Sequence, residues 1–196
     1  TTTHLLARRL AGQSEAKLFT NSLRIAEELS SEVPEVYVPG GRVRAGELAI
    51  GGSAAVAQFQ SLWFDIAFIG VSGITPSGIF DYSFDDVDLK RIYLRRSGLS
   101  VVLCDASKFG RMSLVHIAAL REFNVLVTDA ADVGIMETEW AENRAKLPQD
   151  FIRRTLGKVL DSFYSTGERD KFRTRVERNA QGGVDIFITH RGMIET

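Results

Sequence analysis

Cysteine is nearly absent from this sequence, since Cys104 is the only one among 196 residues. An internal disulfide and a Cys-x-x-Cys zinc or redox motif are therefore excluded. Because Cys104 ends the apolar run 100–104, we expect a buried structural thiol rather than a nucleophile. The three histidines are scattered along the chain, so the sequence predicts neither a metal site nor a cofactor.

Net charge and long apolar runs are lacking as well. Lys and Arg number 24 against 25 Asp and Glu, and the net charge of −1 excludes nucleic-acid binding by bulk charge alone. No apolar run approaches the ~20 residues of a transmembrane helix. The chain begins at Thr1 with neither a methionine nor a signal peptide, so we expect it to be part of something longer.

Motifs for nucleotide binding and hydrolysis are also missing. Gly40 and Gly41 could let the backbone approach a ligand, but turns explain most such pairs. Neither this pair nor 51–53 matches Gly-x-Gly-x-x-Gly or the P-loop, and no serine stands in a Gly-x-Ser-x-Gly context. The sequence therefore predicts no catalytic residue.

Short apolar runs alternate with helical patterns up to about residue 132. Several runs are apolar on successive residues, as strands covered on both faces should be. The predicted strands are 17–20, 35–38, 64–69, 101–104 and 124–128, and the predicted helices are 3–10, 22–29 and 85–95. This order predicts an α/β domain with a largely parallel sheet over residues 1–132.

The pattern changes after residue 132. Alternating strands are predicted at 134–142, 171–178 and 184–190, with an amphipathic helix at 148–164. This β-α-β-β order predicts a small α+β unit over 133–196, in which the helix crosses a three-stranded antiparallel sheet. We expect a separate unit with its boundary near 130–134; pairing of 134–142 with an open edge of the first sheet is the alternative.

Polar residues in the first part form candidate anion sites. Thr1, Thr2 and Thr3 precede one helix, and Asn21 and Ser22 precede another, where backbone N–H groups can bind an anion or where the side chains simply cap the helix. Polar side chains at 105–108 follow a buried strand, at the edge where α/β sheets bind ligands.

Charged residues supply the chemistry for such a site. Lys108 can hold a phosphate and Asp105 can accept sugar hydroxyls. Asp86 and Lys90 are four residues apart on one helical face, which fits a solvated salt bridge as well as a ligand site.

A set of motifs resembles the C-terminal effector domain of DeoR-family transcriptional repressors over about residues 1–131. The motifs, in order, are Thr20-Asn21-Ser22, Pro39-Gly-Gly-Arg42, Phe68-Ile-Gly-Val-Ser-Gly73, Phe84-Asp-Asp-Val-Asp-Leu-Lys-Arg91 and Asp105-Ala-Ser-Lys-Phe-Gly110. The resemblance implies a fold like that of sugar-phosphate isomerases and CoA transferases. It also implies a phosphorylated sugar or related metabolite as ligand, a homo-oligomer and a cytoplasmic location.

The same resemblance assigns residues. The threonines look like the end of the family's Asp-x-Gly-Thr-Thr phosphate loop, Asp86 and Lys90 look like its E-x-x-x-K helix, and Asp105 with Lys108 matches its D-x-S-K motif. The ligand-binding residues so predicted are Thr1, Thr2, Thr3, Asn21, Ser22, Gly40, Gly41, Asp86, Lys90, Asp105 and Lys108. The family's first strand, its closing strand after Asp129 and its winged helix are missing, so we expect no DNA binding by these 196 residues.

The remainder resembles part of a BamC-type lipoprotein, an accessory subunit of outer-membrane β-barrel assembly. The resemblance rests on 133–148, on Tyr164-Ser-Thr-Gly-Glu-Arg-Asp170 and its continuation to Arg178, and on 190–194. It implies a domain without a catalytic site at the periplasmic face of the outer membrane. A natural fusion, an engineered chimera and a misassembled reading frame are all compatible with the sequence, and we favour one of the last two.

These observations together predict a sugar-phosphate-sensing domain of a DeoR-type repressor that binds its ligand without turning it over. A structural adaptor in barrel assembly and a residual sugar-phosphate isomerase remain as alternatives. The motif residues offer no general base paired with a strong acid, which weighs against the isomerase.

Overall fold

Helices and strands alternate along the part of the chain that the computed structural model describes, namely residues 2–10, 16–128, 172–178 and 184–190. The helices are α1 (Thr2–Leu10), α2 (Leu23–Ser30), α3 (Ser53–Phe59) and α4 (Phe84–Arg95). The strands are β1 (Lys17–Phe19), β2 (Glu35–Tyr37), β3 (Arg42–Arg44), β4 (Ala49–Gly51), β5 (Phe64–Gly70), β6 (Gly73–Thr75), β7 (Gly78–Asp81), β8 (Ser97–Leu103), β9 (Val115–Ala118), β10 (Val125–Val127), β11 (Phe172–Arg178) and β12 (Val184–His190). None of these helices is long and apolar enough to cross a membrane.

A five-stranded sheet is the centre of the described structure, with the strand order β11-β12-β10-β8-β5. The β5–β8, β8–β10 and β10–β12 pairs are parallel, and the β11–β12 pair is antiparallel. The predicted α/β class with a parallel sheet is confirmed.

Strand β8 is covered on both faces, as its run of apolar residues predicts. Leu99, Val101 and Leu103 pack with Leu6 of α1 on one face. On the other face, Val102 lies in a second cluster with buried residues of α4, β6, β7 and β10, and Cys104, which follows β8, belongs to the same cluster. Cys104 is 1% exposed, which confirms the expected buried thiol.

Two of the predicted helices begin at side-chain caps. Ser22 caps α2 by accepting a hydrogen bond from the Ile25 amide at 3.4 Å, as the sequence predicts. Ser83 caps α4 in the same way through the Asp86 amide, and the acidic residues of the first turn match the helix dipole.

Three smaller sheets flank the central one. β1 and β2 pair in parallel, β3 and β4 form an antiparallel hairpin, and β6, β7 and β9 form an antiparallel sheet. The sequence predicts β1 and β2 but neither α3 nor the strands β3, β4, β6, β7 and β9. β1 and β2 are equally short but lie in predicted runs of four residues, whereas the missed strands lie in no predicted run.

The C-terminal hairpin is present in the structure and extends the central sheet. β11 and β12 pair over their full lengths, which confirms the predicted hairpin, and β12 lies parallel to β10 with Leu126 opposite Phe187. The predicted strand 134–142, the predicted helix 148–164 and the boundary near 130–134 lie outside the described residues. The division into units 1–132 and 133–196 therefore stays a prediction.

Gly78 offers a test of how tightly β7 packs on β9. Its φ is +135°, and a Cβ there would overlap the Ala118 carbonyl oxygen and lie 2.5 Å from His116 Nε2. We expect Gly78→Ala to lower the free energy of unfolding by at least ~2 kcal/mol, because both the backbone angle and the neighbours exclude a methyl group. Urea denaturation measures the change.

The matched control is Gly46→Ala. A Cβ at Gly46 meets no atom within 4 Å, so we expect a change within ~0.5 kcal/mol. Equal destabilisation by the two substitutions would contradict this packing of β7.

Candidate ligand-binding site

Three parallel strands end side by side at the carboxyl edge of the central sheet. Gly70 at the end of β5 pairs with Leu103 at the end of β8, and Leu103 pairs with Val127 at the end of β10. The segments that follow these strands therefore leave the sheet together. In open α/β sheets this edge is where ligands bind.

The start of α1 lies at the same edge. A Cβ on Gly70 would lie 3.1 Å from Thr3 Cγ2, so the Thr3 side chain is adjacent to the backbone at the end of β5. Thr3 is half-buried and Thr2 is exposed, whereas Thr1 lies outside the described residues. The structure thus brings the predicted threonine segment to the strand ends.

Asp105 organises the turn that follows β8. Its Oδ1 accepts hydrogen bonds from the Ser107 amide at 3.0 Å and from the Ser107 hydroxyl at 2.5 Å, so that it caps a 3-10 turn over Ala106–Lys108. Burial opposes its ionisation, but the Ser107 hydroxyl and amide and the charge of Lys108 outweigh burial and lower the pKa of Asp105. A carboxylate and a half-buried ammonium group therefore stand together at this edge.

Lys90 is held by a buried carboxylate. It forms an ion pair with Asp81, whose side chain is 2% exposed against 20% for Lys90. Asp81 Oδ1 also accepts hydrogen bonds from Ser72 Oγ at 3.0 Å and from the Tyr82 amide at 2.7 Å. Ser72 follows β5 by two residues, so this network connects Lys90 with the strand ends.

Asp86 and Lys90 share a face of α4 but pair with different partners, so the helical salt bridge suggested by their spacing does not form. Asp86 Oδ2 accepts from Arg44 Nη2 at 2.5 Å, and its Oδ1 lies 3.4 Å from Asn21 Nδ2. Arg44 also contacts Glu47 and Ser83. Asp86 and Lys90 therefore belong to two distinct ion pairs.

Other predicted site residues make contacts that support the local fold. Ser22 caps α2, and the Gly40 amide donates to Gln58 Oε1 of α3 at 3.0 Å. Gly41 has a φ of +150° and packs so closely on the Gly51 carbonyl that a Cβ would lie 2.8 Å from its oxygen. As ligand contacts, these three residues stay predictions. Among the described residues, no group of three His, Cys, Asp or Glu is placed to hold a metal ion.

Residues 1–130 are similar to a known protein family. The sequence profile of the family described as the DeoR C-terminal sensor domain matches residues 1–130. The chain belongs to this family. Its relatives include the HTH-type transcriptional regulator GlpR of Haloferax volcanii, 32% identical over 130 residues that make up 66% of this chain and 51% of that protein. The glycerol-3-phosphate regulon repressor of Escherichia coli is 28% identical over 140 residues, 70% of this chain and 56% of that protein.

A further group of relatives belongs to a different class of protein. The outer membrane protein assembly factor BamC of Thiobacillus denitrificans is 64% identical over 67 residues, 34% of this chain and 18% of that protein. Both resemblances found in the sequence are thus confirmed. The chain spans about half the length of its repressor relatives and less than a fifth of this BamC protein.

Sequence reasoning missed three residues of the DeoR sensor domain that organise its candidate site: Ser72, Asp81 and Arg44. Asp81 ends an apolar run and precedes the start of α4, a signal that could have been used. Arg44 gave no signal, because its partner Asp86 is 42 positions away in the sequence.

The buried Asp81–Lys90 ion pair of the DeoR sensor domain should contribute far more to the free energy of unfolding than an exposed ion pair does. We expect Lys90→Met to lower the free energy of unfolding by about 3 kcal/mol, because it leaves the Asp81 carboxylate buried without a counter-charge. Lys90→Met combined with Asp81→Asn should recover part of the loss. Chemical denaturation of the three proteins measures both effects.

Lys17→Met is the matched control. Lys17 pairs with Glu35 at 3.3 Å, and the two side chains are 64% and 44% exposed, so solvent screens the pair and the loss should be far smaller than for Lys90→Met. If Lys90→Met lowers the free energy of unfolding no more than Lys17→Met does, Asp81 and Lys90 do not form a buried ion pair.

Proposed function

We propose that this DeoR sensor domain binds a phosphorylated sugar, or a related phosphorylated metabolite, at the carboxyl edge of its parallel sheet. The observation that carries the proposal is the convergence of Thr3 beside Gly70, the Asp81–Lys90 pair and the Asp105–Lys108 turn at one edge. The domain acts by binding and not by turnover. The named repressor relatives support a role in transcription regulation.

The two lysines of this edge differ in how fully their charge is compensated. Lys90 already forms an ion pair with the buried Asp81 carboxylate, and this pair compensates most of the Lys90 charge. Lys108 is half-buried and lies near Asp105, which is itself only half-buried. We therefore assign the phosphate to Lys108 and to the backbone N–H groups at the start of α1. Asp105, ionised at neutral pH, is the acceptor for a ligand hydroxyl.

Regulation follows if the ligand has different affinities for two states of the whole protein. In our proposal the ligand biases the oligomeric arrangement of the sensor domains, and through it the DNA-binding modules of a cytoplasmic repressor. The fold is taken to be that of sugar-phosphate isomerases and CoA transferases. Turnover of the bound sugar phosphate would point instead to a residual isomerase.

Lys108→Ala tests the site. At ~100 times the dissociation constant, a ligand that binds only the folded protein stabilises it by about 2.7 kcal/mol. We expect this gain for the wild type with at least one of glycerol 3-phosphate, ribose 5-phosphate and glucose 6-phosphate. Lys108→Ala should lose it at the same ligand concentrations. The readout is the free energy of unfolding with and without ligand.

The stability of Lys108→Ala without ligand shows whether the substitution impairs ligand binding or folding. Lys108 contributes little to packing at a strand end, so the unliganded variant should melt within about 2 °C of the wild type. If the ligand stabilises the wild type and Lys108→Ala to the same extent, Lys108 does not contribute to ligand binding. No stabilisation of either protein by any of the three phosphates would overturn the proposed function.

A second candidate function is that of a structural adaptor in outer-membrane barrel assembly. The 64% identity to BamC over 67 residues favours it. We expect the full chain to co-elute with a purified barrel-assembly complex if the C-terminal segment retains this role. Ile188→Pro, which removes an amide from β12, should abolish co-elution. Failure of the unmodified chain to co-elute would reject the adaptor.

A further inference from the structure

A cleft of about 710 Å³ lies between α3 and α4. Its lining includes two apolar side chains, Val56 and Ile92, and three charged ones, Asp88, Arg95 and Arg96. Since α3 precedes β5 and α4 precedes β8, the C-terminal ends of both helices lie where these strands begin. The cleft therefore reaches the amino edge of the parallel sheet, opposite the edge at which the candidate ligand-binding site lies.

One face of α4 forms a wall of this cleft. Asp88, Ile92 and Arg95 follow one another at intervals of four and three residues, which places them on the same side of the helix. Ile92 is buried and Val56 is half-buried, whereas the two arginines are exposed. The apolar surface of the cleft thus lies deeper than its cationic groups.

The two arginines are not engaged in holding the described fold together. Within the described residues, neither of their side chains takes part in an ion pair, and Asp88 pairs instead with Arg91 at 3.7 Å. A cation at the end of a helix suits the helix dipole, so Arg95 alone would not indicate a partner. Two adjacent guanidinium groups beside an apolar surface do indicate one, because guanidinium groups bind carboxylates through paired hydrogen bonds.

Trp63 adds an exposed aromatic residue next to the cleft, since it is 64% exposed. Ser61, two residues before it, lines the cleft. Phe64, directly after it, donates its amide hydrogen to the Arg96 carbonyl oxygen at 2.8 Å. The backbone on both sides of Trp63 is thus fixed to the cleft. Tryptophan and arginine are enriched among the residues that contribute most to binding at protein interfaces.

The charges of the cleft select the class of partner. Two guanidinium groups face one carboxylate, and the C-terminal ends of two helices add partial negative charge. A nucleic acid carries a phosphate at every nucleotide and is bound by a row of cations, which two arginines do not supply. A short acidic protein segment with one apolar side chain matches both the cationic groups and the apolar surface.

We propose that the α3–α4 cleft is a docking surface for an acidic segment of another protein. An apolar side chain of that segment packs on Val56 and Ile92, and carboxylates on either side of it pair with Arg95 and Arg96. Trp63 packs against one flank of the segment. Because the cleft and the candidate ligand-binding site lie at opposite edges of the sheet, this docking surface does not depend on the proposed function.

Selection from a displayed library of random dodecapeptides by the full chain tests the docking surface. The most enriched peptides are synthesised with a fluorophore and titrated by fluorescence polarisation. We expect them to carry acids on both sides of an apolar residue. Replacing these acids by Asn and Gln should weaken binding about tenfold, because the charge-assisted hydrogen bonds to guanidinium are lost. Added salt should weaken binding of the acidic peptides as well.

Charge reversal locates the contact. Arg95→Glu and Arg96→Glu should each weaken binding of the enriched peptides by about tenfold. Arg111→Glu is the matched control, because it reverses another exposed arginine and changes the net charge equally. The Arg111 backbone packs on Gly73, three residues beyond the end of β5 and so at the opposite edge of the sheet. This variant should change the affinity less than about twofold.

Thermal unfolding without peptide excludes a folding defect. The arginine side chains are exposed, so each variant should melt within about 2 °C of the wild type. Arg95→Gln and Arg96→Gln, which remove the charge without reversing it, replace any reversal that melts lower. Weakened binding in a variant of unchanged melting temperature then reports the contact itself.

Each outcome decides for or against the docking surface. Acidic peptides that lose affinity in the Arg95 and Arg96 variants but not in Arg111→Glu support it. It is overturned if no peptide is enriched, if the enriched peptides carry no acids, or if both variants bind them as the wild type does. Tighter binding of oligothymidylate or citrate than of any peptide, with loss in the same variants, also overturns it, because the cleft would then take a nucleic acid or a small polyanion.

Discussion

Burial of β8 on both faces is the constraint from which the rest of the sensor domain follows. Leu99, Val101 and Leu103 enter one apolar cluster and Val102 enters the other, while the buried Ser100 donates to Asn124 Oδ1. The side chains from Leu99 to Leu103 are at most 5% exposed. Polar chemistry can therefore begin only where the strand ends, at Asp105. Because β5 and β10 run parallel to β8 and end beside it, their polar continuations reach the same edge. The position of the candidate site is thus a consequence of core packing.

Helix α4 sets the electrostatics of that edge. Its first turns present Asp86 to Arg44 and Lys90 to Asp81, about 6 Å apart along the helix axis. The Asp81–Lys90 pair is buried and nearly neutral, whereas the Asp86 group carries more acid than base. Lys108 lies in the turn of Asp105, and its charge helps to lower the pKa of that carboxyl.

The central part of the fold could be predicted from the sequence, and the site could be predicted only in part. β5 is apolar except at Asp65, β8 ends in an apolar run, and α4 runs from acids to a base, so local pattern was sufficient for these elements. Asp105 and Lys108 were found because a polar segment directly follows such a run. The Arg44–Asp86 pair joins residues 42 positions apart, and no local pattern encodes a contact of that range. The short strands β3 and β4 were not predicted from the sequence, and Arg44 is the last residue of β3.

The pairing of β12 with β10 connects the two family resemblances physically. A strand at the edge of a sheet exposes unpaired N–H and C=O groups, and β12 covers this edge of β10 in a parallel register. The DeoR family's closing strand, expected after Asp129 by resemblance, would have used such an edge. A strand from the C-terminal hairpin thus serves the same hydrogen-bonding need, although the sequence around it resembles an unrelated protein. Backbone pairing does not depend on side-chain identity, so the edge of β10 can pair with β12 whatever side chains β12 carries.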